Sequence, residues 1–164
     1  MVGGSYHVLI KKVDLRNMKI LVLGAFGMAG HTVALYFKEQ GYEVHAFARR
    51  PFPYCMWIQG DAFDIENLKT IVTTGRYDVV INCIGLLNQF AENNKAMAVL
   101  LNGYLPHYLV EITKDTKTRV IHMSTDCVFA GNDGPYDEDA LPNGATFYDR
   151  SKAVGEINND KDLT

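Results

Sequence analysis

Residues 19–30 read KILVLGAFGMAG and predict a buried strand, a glycine turn and the start of a helix. The branched apolar residues up to Leu23 suit a strand that is buried on both faces. In such a unit, Gly24 makes the tight turn, Gly27 lets the backbone approach a pyrophosphate, and Gly30 lets helix and strand pack closely. Free N–H groups at the helix start then face the anion. The stretch therefore predicts a phosphate site, although its G-x-x-G-x-x-G spacing also fits an ordinary strand-to-helix turn.

Strands and helices alternate along the rest of the chain. The further predicted strands are Tyr42–Ala48, Cys55–Gln59, Tyr77–Cys83 and Thr118–Met123. The predicted helices are Met28–Gln40, one capped by Asp64 that runs to about Thr74, one from Ala91 to about Lys114 with a kink or break at Pro106, and a last one from Phe147 through Glu156. This alternation is typical of a doubly wound parallel sheet in a three-layer α/β/α arrangement. We expect residues 18–164 to form one such domain, preceded by a leader or tail at residues 1–17.

The composition argues against several functional classes. The 164 residues carry a net charge of -3 and the isoelectric point is about 5.9, which argues against a surface built to bind nucleic acid. Cys55, Cys83 and Cys127 form no C-x-x-C pair, so neither a disulfide framework nor a metal site is indicated. No apolar run is long enough to span a membrane. We therefore expect a cytoplasmic protein that binds neither nucleic acid nor membranes. Four histidines fall at unrelated spacings and are expected at the core edge or the surface: His31, His45, His107 and His122.

The end of the second predicted strand bears on the choice of cofactor. In dinucleotide-binding folds, an acid there binds the ribose 2′-hydroxyl of NAD, whereas an arginine pairs with the 2′-phosphate of NADP. No acid lies between Glu43 and Asp61, and Arg49 and Arg50 stand at the expected place. The sequence therefore favours NADP(H) over NAD(H), the alternative being a solvated turn before two prolines. Asp61 follows the third strand, at the sheet edge where ligands bind.

A second group of polar residues follows the fifth strand. Thr125 lies in the S-T-D sequence at the strand end, and Tyr148 and Lys152 lie four residues apart on one face of the last helix. An ammonium near a phenol lowers the phenol pKa, which makes the tyrosine a usable proton donor and acceptor. Thr125 is placed to donate a hydrogen bond to the same substrate carbonyl oxygen. A surface tyrosine and a capping threonine are the structural alternatives, but the order of the motifs favours a catalytic group.

These residues resemble the extended short-chain dehydrogenase/reductase family from Met18 to about Glu156. Within the family, the chain looks most like the dTDP-4-dehydrorhamnose reductase branch, both in its GAFGMAG turn and in the residues after the fifth strand. Those residues are Ser124-Thr125-Asp126-Cys127-Val128-Phe129, Tyr136, Glu138, Pro142, Tyr148, Ser151, Lys152, Gly155 and Glu156. The resemblance implies a Rossmann-type NAD(P)-binding fold and an oxidoreductase.

The resemblance also implies a role for each matching residue. Tyr148 would be the catalytic acid/base, Lys152 would lower its pKa and hold the nicotinamide ribose, and Thr125 would position the substrate oxygen. Besides Tyr148 and Lys152, the cofactor-binding residues would be Gly24, Phe26, Gly27, Met28 and Gly30 at the pyrophosphate, Arg49 and Arg50, Asp61 and Ala62 by the adenine, Cys83, Ile84 and Gly85 along the cofactor, and Asn102.

Two departures from the family pattern narrow the implied function. The related 4,6-dehydratases carry T-D-E at this strand end, and Cys127 replaces the glutamate here, which counts against dehydration. The family's substrate-binding half would follow the last helix, and the sequence stops at Thr164, so we expect an N-terminal fragment. The implied parent activity is NADPH-dependent reduction of a keto group on a nucleotide-activated sugar, in the synthesis of cell-surface polysaccharide. The alternatives are a nucleotide-sugar epimerase and a non-catalytic NADP-binding regulatory subunit. The family also allows a homodimer.

Overall fold

Five parallel strands form one sheet in the computed structural model, which describes residues 17–137 and 139–164. The strands are β1 (Lys19–Leu23), β2 (Glu43–Ala48), β3 (Met56–Gln59), β4 (Val79–Asn82) and β5 (Arg119–His122). Their order across the sheet is β3-β2-β1-β4-β5, so the direction of winding reverses at β1. The predicted doubly wound parallel sheet is therefore confirmed. The expectations for residues 1–16 of the leader and for Glu138 lie outside the described residues.

Helices flank the sheet. They are α1 (Met28–Glu39), α2 (Ile65–Thr74), α3 (Asn88–Asn93), α4 (Lys95–Ala98), α5 (Leu105–Thr113) and α6 (Phe147–Val154), with a π-helical segment, Val99–Tyr104, between α4 and α5 and a 3-10 turn, Asp126–Val128, after β5. Among the described residues, no helix combines the length and the hydropathy that crossing a bilayer requires.

The central position of β1 follows from its apolar side chains. Leu21 and Leu23 pack into the hydrophobic cluster on one face of the sheet, with residues of α2 and α5. Ile20 and Val22 pack into the cluster on the other face, with Ala34 of α1. All four strand residues are at most 2% exposed. The sheet is thus covered on both faces, as the continuous apolar run predicted.

The helical region predicted from about Ala91 to Lys114, with a kink or break at Pro106, starts earlier and is interrupted at another residue. The chain is helical from Asn88, but Asn94 leaves the helical region with a φ of -134° and separates α3 from α4. The π-helical segment then changes the register before α5. Pro106 lies in the first turn of α5, directly after the π-helical segment, and the backbone stays helical through Tyr104 and Leu105.

Two glycines bring α1 against the end of β1. Gly24 has a φ of +76°, in the left-handed region that glycine adopts without strain. A Cβ on Gly30 would lie only 2.3 Å from the Gly24 carbonyl oxygen, closer than two such atoms can approach. Helix α1 therefore starts directly against the turn, and its N-terminus is held at the carboxyl edge of the sheet.

We expect Gly30→Ala to lower the free energy of unfolding by about 2–3 kcal/mol, because the new methyl group overpacks a rigid backbone contact. Gly27→Ala is the matched control, since its added Cβ would meet only the Gly24 oxygen, at 3.2 Å. Its expected cost is below about 1 kcal/mol, the loss of a glycine N-cap. Urea unfolding of both variants checks this, and equal midpoints would contradict the close packing of α1 on the turn.

Candidate active site

The N-terminus of α1 lacks a side-chain cap, unlike the N-termini of α2 and α6. Gly27 is its N-cap residue, no side chain accepts a hydrogen bond from its first turn, and that turn holds no acidic residue. By contrast, Asp64 caps α2 and Thr146 forms a capping box with Asp149 at α6. The free N–H groups and the positive end of the α1 dipole are therefore available to an anion.

A cleft of about 420 Å³ opens beside this helix end, along the carboxyl ends of the inner strands. Ten of the residues predicted to bind cofactor line it: Gly24, Phe26, Gly27, Arg49, Arg50, Asp61, Ala62, Cys83, Ile84 and Gly85. The residues that sequence reasoning missed are Phe47, Ala48, Gly60, Phe63, Leu86, Met97 and Leu101. Most of these are apolar residues at strand ends or on a helix. The sequence does not distinguish them from apolar residues of the hydrophobic core. The cleft lies where the strand order reverses, the usual ligand position in an open parallel sheet.

Two arginines give one end of the cleft a positive charge. Arg49 and Arg50 follow β2 and are both exposed. The Arg50 guanidinium lies 5.6 Å from the centre of the Phe26 ring, within the range of a cation–π interaction. After the neighbouring strand β3, Asp61 accepts a hydrogen bond from the Phe63 N–H through its Oδ1 atom, 3.1 Å away. The carboxylate is thus held in its own turn, and the arginines remain available to a ligand.

Asn102 does not line the cleft, contrary to its predicted role as a cofactor contact. Its side chain is fully buried in the π-helical segment. The Oδ1 atom accepts from the Leu86 N–H at 2.7 Å, while Nδ2 donates to the Leu86 carbonyl at 2.9 Å and to Ser151 Oγ at 2.9 Å. Asn102 therefore fixes the loop after β4 against α6. Met28 and Gly30 also lie outside the cleft lining. Met28 is 87% exposed to solvent, and Gly30 is buried against the turn.

Tyr148 is positioned by the first turn of α6. Besides the capping box, Glu92 of α3 accepts hydrogen bonds from the backbone N–H groups of Phe147 at 2.6 Å and Tyr148 at 3.3 Å. Tyr148 is 7% exposed and borders a second, smaller cavity of about 210 Å³. Sequence reasoning missed Glu92, because nothing in the sequence near Glu92 indicates that α6 begins beside it. Neither Tyr148 nor Lys152 contributes to the lining of the large cleft.

Comparison with known proteins places these features in a family. The family model described as RmlD substrate binding domain matches residues 18–162. The chain belongs to this family. The predicted resemblance to the dTDP-4-dehydrorhamnose reductase branch of the extended short-chain dehydrogenases/reductases is thereby confirmed.

Individual relatives of this RmlD-family chain are about twice its length. The probable low-salt glycan biosynthesis reductase Agl14 of Haloferax volcanii is 34% identical over 143 residues, 85% of this chain and 48% of that protein. Methionine adenosyltransferase 2 subunit beta of Xenopus tropicalis is 28% identical over 158 residues, 93% of this chain and 46% of that protein. A crystal structure of a hypothetical dTDP-4-dehydrorhamnose reductase from Sulfolobus tokodaii matches with a TM-score of 0.76 and 28% identity, over 84% of this chain and 50% of that one. The chain thus spans about half the length of these relatives.

The Tyr148–Lys152 pair of this RmlD-family chain is not arranged as the sequence predicted. Burial raises the pKa of Tyr148, nearby carboxylates add to the rise, and the Thr125 hydroxyl opposes it. The Lys152 side chain turns towards β5 instead and does not offset the rise. Its Nζ atom donates to the Met123 carbonyl at 2.6 Å and lies 3.1 Å from His122 Nε2. The expected lowering of the tyrosine pKa by Lys152 is therefore wrong for this arrangement.

His122, which was expected at the core edge or the surface, is instead a buried neighbour of Lys152. It is 1% exposed at the end of β5, with Nδ1 3.1 Å from Asn82 Nδ2. Burial and the charge of Lys152 lower the pKa of His122 to about 3. Burial likewise lowers the pKa of Lys152 to about 8 and raises that of Cys83 to about 11. A strand position two residues before S-T-D was the available signal.

The shifted pKa of His122 predicts an acid-sensitive fold. Between pH 6.5 and about 3, the unfolded chain binds a proton at this residue and the folded chain does not, so stability falls as the pH falls. We expect the unfolding free energy of the native chain to drop more steeply in this window than that of His122→Gln, by up to about 1.4 kcal/mol per pH unit. Urea unfolding at several pH values measures both slopes. Parallel curves would show that His122 is not held neutral.

Proposed function

We propose that this chain is the cofactor-binding half of an NADPH-dependent reductase that acts on a keto group of a nucleotide-activated sugar. The observation that carries the proposal is the uncapped N-terminus of α1, which opens into a cleft with two arginines at its rim. Membership of the RmlD family and similarity to proteins named as reductases support it. Because the chain spans about half of its relatives, the rest of the substrate site would come from a further segment or partner.

The residues of the cleft fit a dinucleotide. The Gly24 turn and the first turn of α1 would hold the pyrophosphate, since a side chain at Gly30 would push the helix off the turn and the first-turn N–H groups have no cap. Asp61 and Ala62 would lie beside the adenine, and Cys83, Ile84 and Gly85 would follow the cofactor across β4. The cofactor supplies the hydride when bound.

The choice of NADP(H) over NAD(H) rests on the rim of the cleft. Arg49 and Arg50 are exposed there, and the whole segment between Glu43 and Asp61 lacks an acid that could bind a ribose 2′-hydroxyl. A guanidinium can form two charge-assisted hydrogen bonds to a phosphate. The stacking of Arg50 on Phe26 would pre-organise one of the two groups.

The proton in this reaction would come from Tyr148. A reduction develops negative charge on the substrate oxygen, and the phenol, whose pKa is raised by burial, holds a proton at neutral pH. The raised pKa makes it a weaker acid, so proton donation would require this pKa to fall when cofactor and substrate bind. Thr125, beside the phenol, would provide a second hydrogen bond to the same oxygen. The alternative is a non-catalytic regulatory subunit, which would bind the cofactor without catalysing the reduction. The similarity to methionine adenosyltransferase 2 subunit beta supports this alternative.

We expect NADPH to bind this chain with micromolar affinity in a calorimetric titration, and Arg49→Ala/Arg50→Ala to weaken binding about tenfold or more. NADH should bind less tightly and be almost unaffected, because it lacks the 2′-phosphate. Lys69→Ala/Lys117→Ala is the matched control, since it removes two exposed positive charges outside the cleft lining. Equal losses of NADPH affinity in the two double variants would show that the effect comes from net charge alone. Absence of NADPH binding by the folded native chain would overturn the proposal.

A turnover assay separates the reductase from the regulatory subunit. In a longer protein that also carries the substrate half, with dTDP-4-dehydrorhamnose as substrate, we expect the native sequence to oxidise NADPH and Tyr148→Phe to do so at least about 100-fold more slowly. Tyr108→Phe, on α5, is the control for loss of a tyrosine hydroxyl elsewhere. NADPH binding without turnover would favour a non-catalytic role.

A further inference from the structure

The segment between β2 and β3 carries the two arginines and is anchored by a buried ring. Residues 49–55, the arginine segment, read RRPFPYC and join the two strands. Phe52 is 2% exposed and belongs to the core cluster that also contains Ala34 of α1. A proline stands on each side of Phe52, and the fixed φ of proline stiffens the backbone there. Arg49 and Arg50 therefore precede a stretch that has little freedom to move away from α1.

Three aromatic rings form the contact between the arginine segment and α1. The centre of the His31 ring on α1 lies 5.2 Å from that of Phe52 and 5.4 Å from that of Tyr54. The Phe52 and Tyr54 rings are themselves 5.4 Å apart, and the three pairs meet edge to face, at interplanar angles of 77°, 69° and 74°. Edge-to-face pairs at such distances are attractive beyond the apolar area that they bury. His31 supplies the α1 side of this ring cluster.

Two polar contacts extend the docking along the same face of α1. The Lys38 Nζ atom donates to the Tyr54 carbonyl. The Cys55 thiol makes a weak hydrogen bond to the Ala34 carbonyl, with Sγ 3.9 Å from the oxygen. His31, Ala34 and Lys38 are spaced by three and four residues, which places them on one face of the helix. The arginine segment is thus held along about two turns of α1.

The same helix carries the other anion-binding feature of the cleft. Gly27 is the N-cap residue of α1, and the His31 N–H donates to the Gly27 carbonyl at 2.8 Å, which closes the first turn. His31 therefore ends the turn that offers free N–H groups to an anion, and its ring contacts the arginine segment. The helix N-terminus and the arginine pair are in this way fixed relative to each other. His31 does not line the cleft, so its effect on a ligand bound there must act through the arginine segment.

We infer that His31 is a positioning residue for Arg49 and Arg50: its ring holds the arginine segment against α1 and thereby helps the arginines to select a cofactor that carries a 2′-phosphate. The inference deepens the proposed function and rests on it. Ordering of long side chains and loops opposes binding, so a segment that is held before the ligand arrives binds it more tightly. NADPH and NADH share the pyrophosphate and differ at the 2′-phosphate, so a change confined to the arginine segment weakens NADPH alone.

Calorimetric titration of this chain with NADPH and with NADH tests the inference. We expect His31→Ala, which removes the ring, to weaken NADPH binding about three- to tenfold and to leave the NADH affinity unchanged. His31→Phe keeps a ring at this position and should retain the NADPH affinity of the native chain. Equal weakening of both cofactors would show that His31 only supports the helix N-terminus, and unchanged binding of both would show that the ring does not position the arginines. Either result would overturn the inference.

Two further substitutions control for general damage to α1. Val33→Ala is the matched control, because Val33 is also a half-buried side chain of α1 and lies outside the ring cluster. It should leave the ratio of NADPH to NADH affinity unchanged. Tyr54→Ala removes a ring from the segment side, at a residue that is 47% exposed, and tests the same contact if His31→Ala does not fold. The NADPH losses of the two ring variants should be less than additive when combined, and full additivity would contradict a shared contact.

Backbone relaxation NMR of the free chain separates this inference from the proposed function. We expect the amides of Arg49 and Arg50 to be ordered in the native chain and in His31→Phe, and to gain mobility on the nanosecond timescale in His31→Ala. Equal order in the two His31 variants would overturn the positioning role, whether or not a cofactor binds. If NADPH does not bind the folded native chain, the proposed function fails and the selectivity with it, while the relaxation data still decide whether His31 orders the arginines.

Discussion

The contact between Gly30 and the Gly24 carbonyl oxygen is the constraint on which the cleft depends. It lets α1 begin within one turn of the strand that precedes it, so the uncapped N–H groups of the helix lie at the sheet edge. The turn is held from the other side as well, because the N–H groups of Gly24 and Ala25 both donate to the Phe47 carbonyl of β2, at 3.0 and 3.2 Å. Helix, turn and two strands thus form a corner whose free N–H groups are available to an anion.

A second close backbone contact places α6 in the same way. A Cβ on Gly155 would lie 1.8 Å from the Asn102 carbonyl oxygen, so the end of α6 is pressed against the π-helical segment. The Asn102 side chain bonds Ser151 on α6 and Leu86 after β4. Glu92 fixes the opposite end of α6. Tyr148 and Lys152 therefore project from a helix that is tied at both ends, which is what a positioned proton donor requires.

The parts of this structure that sequence could predict are those in which the partners are close in the chain. The β1 turn, the Asp64 cap and the arginines after β2 all lie within a few residues of the signals that predicted them. Asn102 and His122 are different. Asn102 bonds residues 16 and 49 positions away, and His122 bonds residues 40 and 30 positions away. Periodicity predicts that such a side chain is buried, but only the register of β4, β5 and α6 determines which groups it meets.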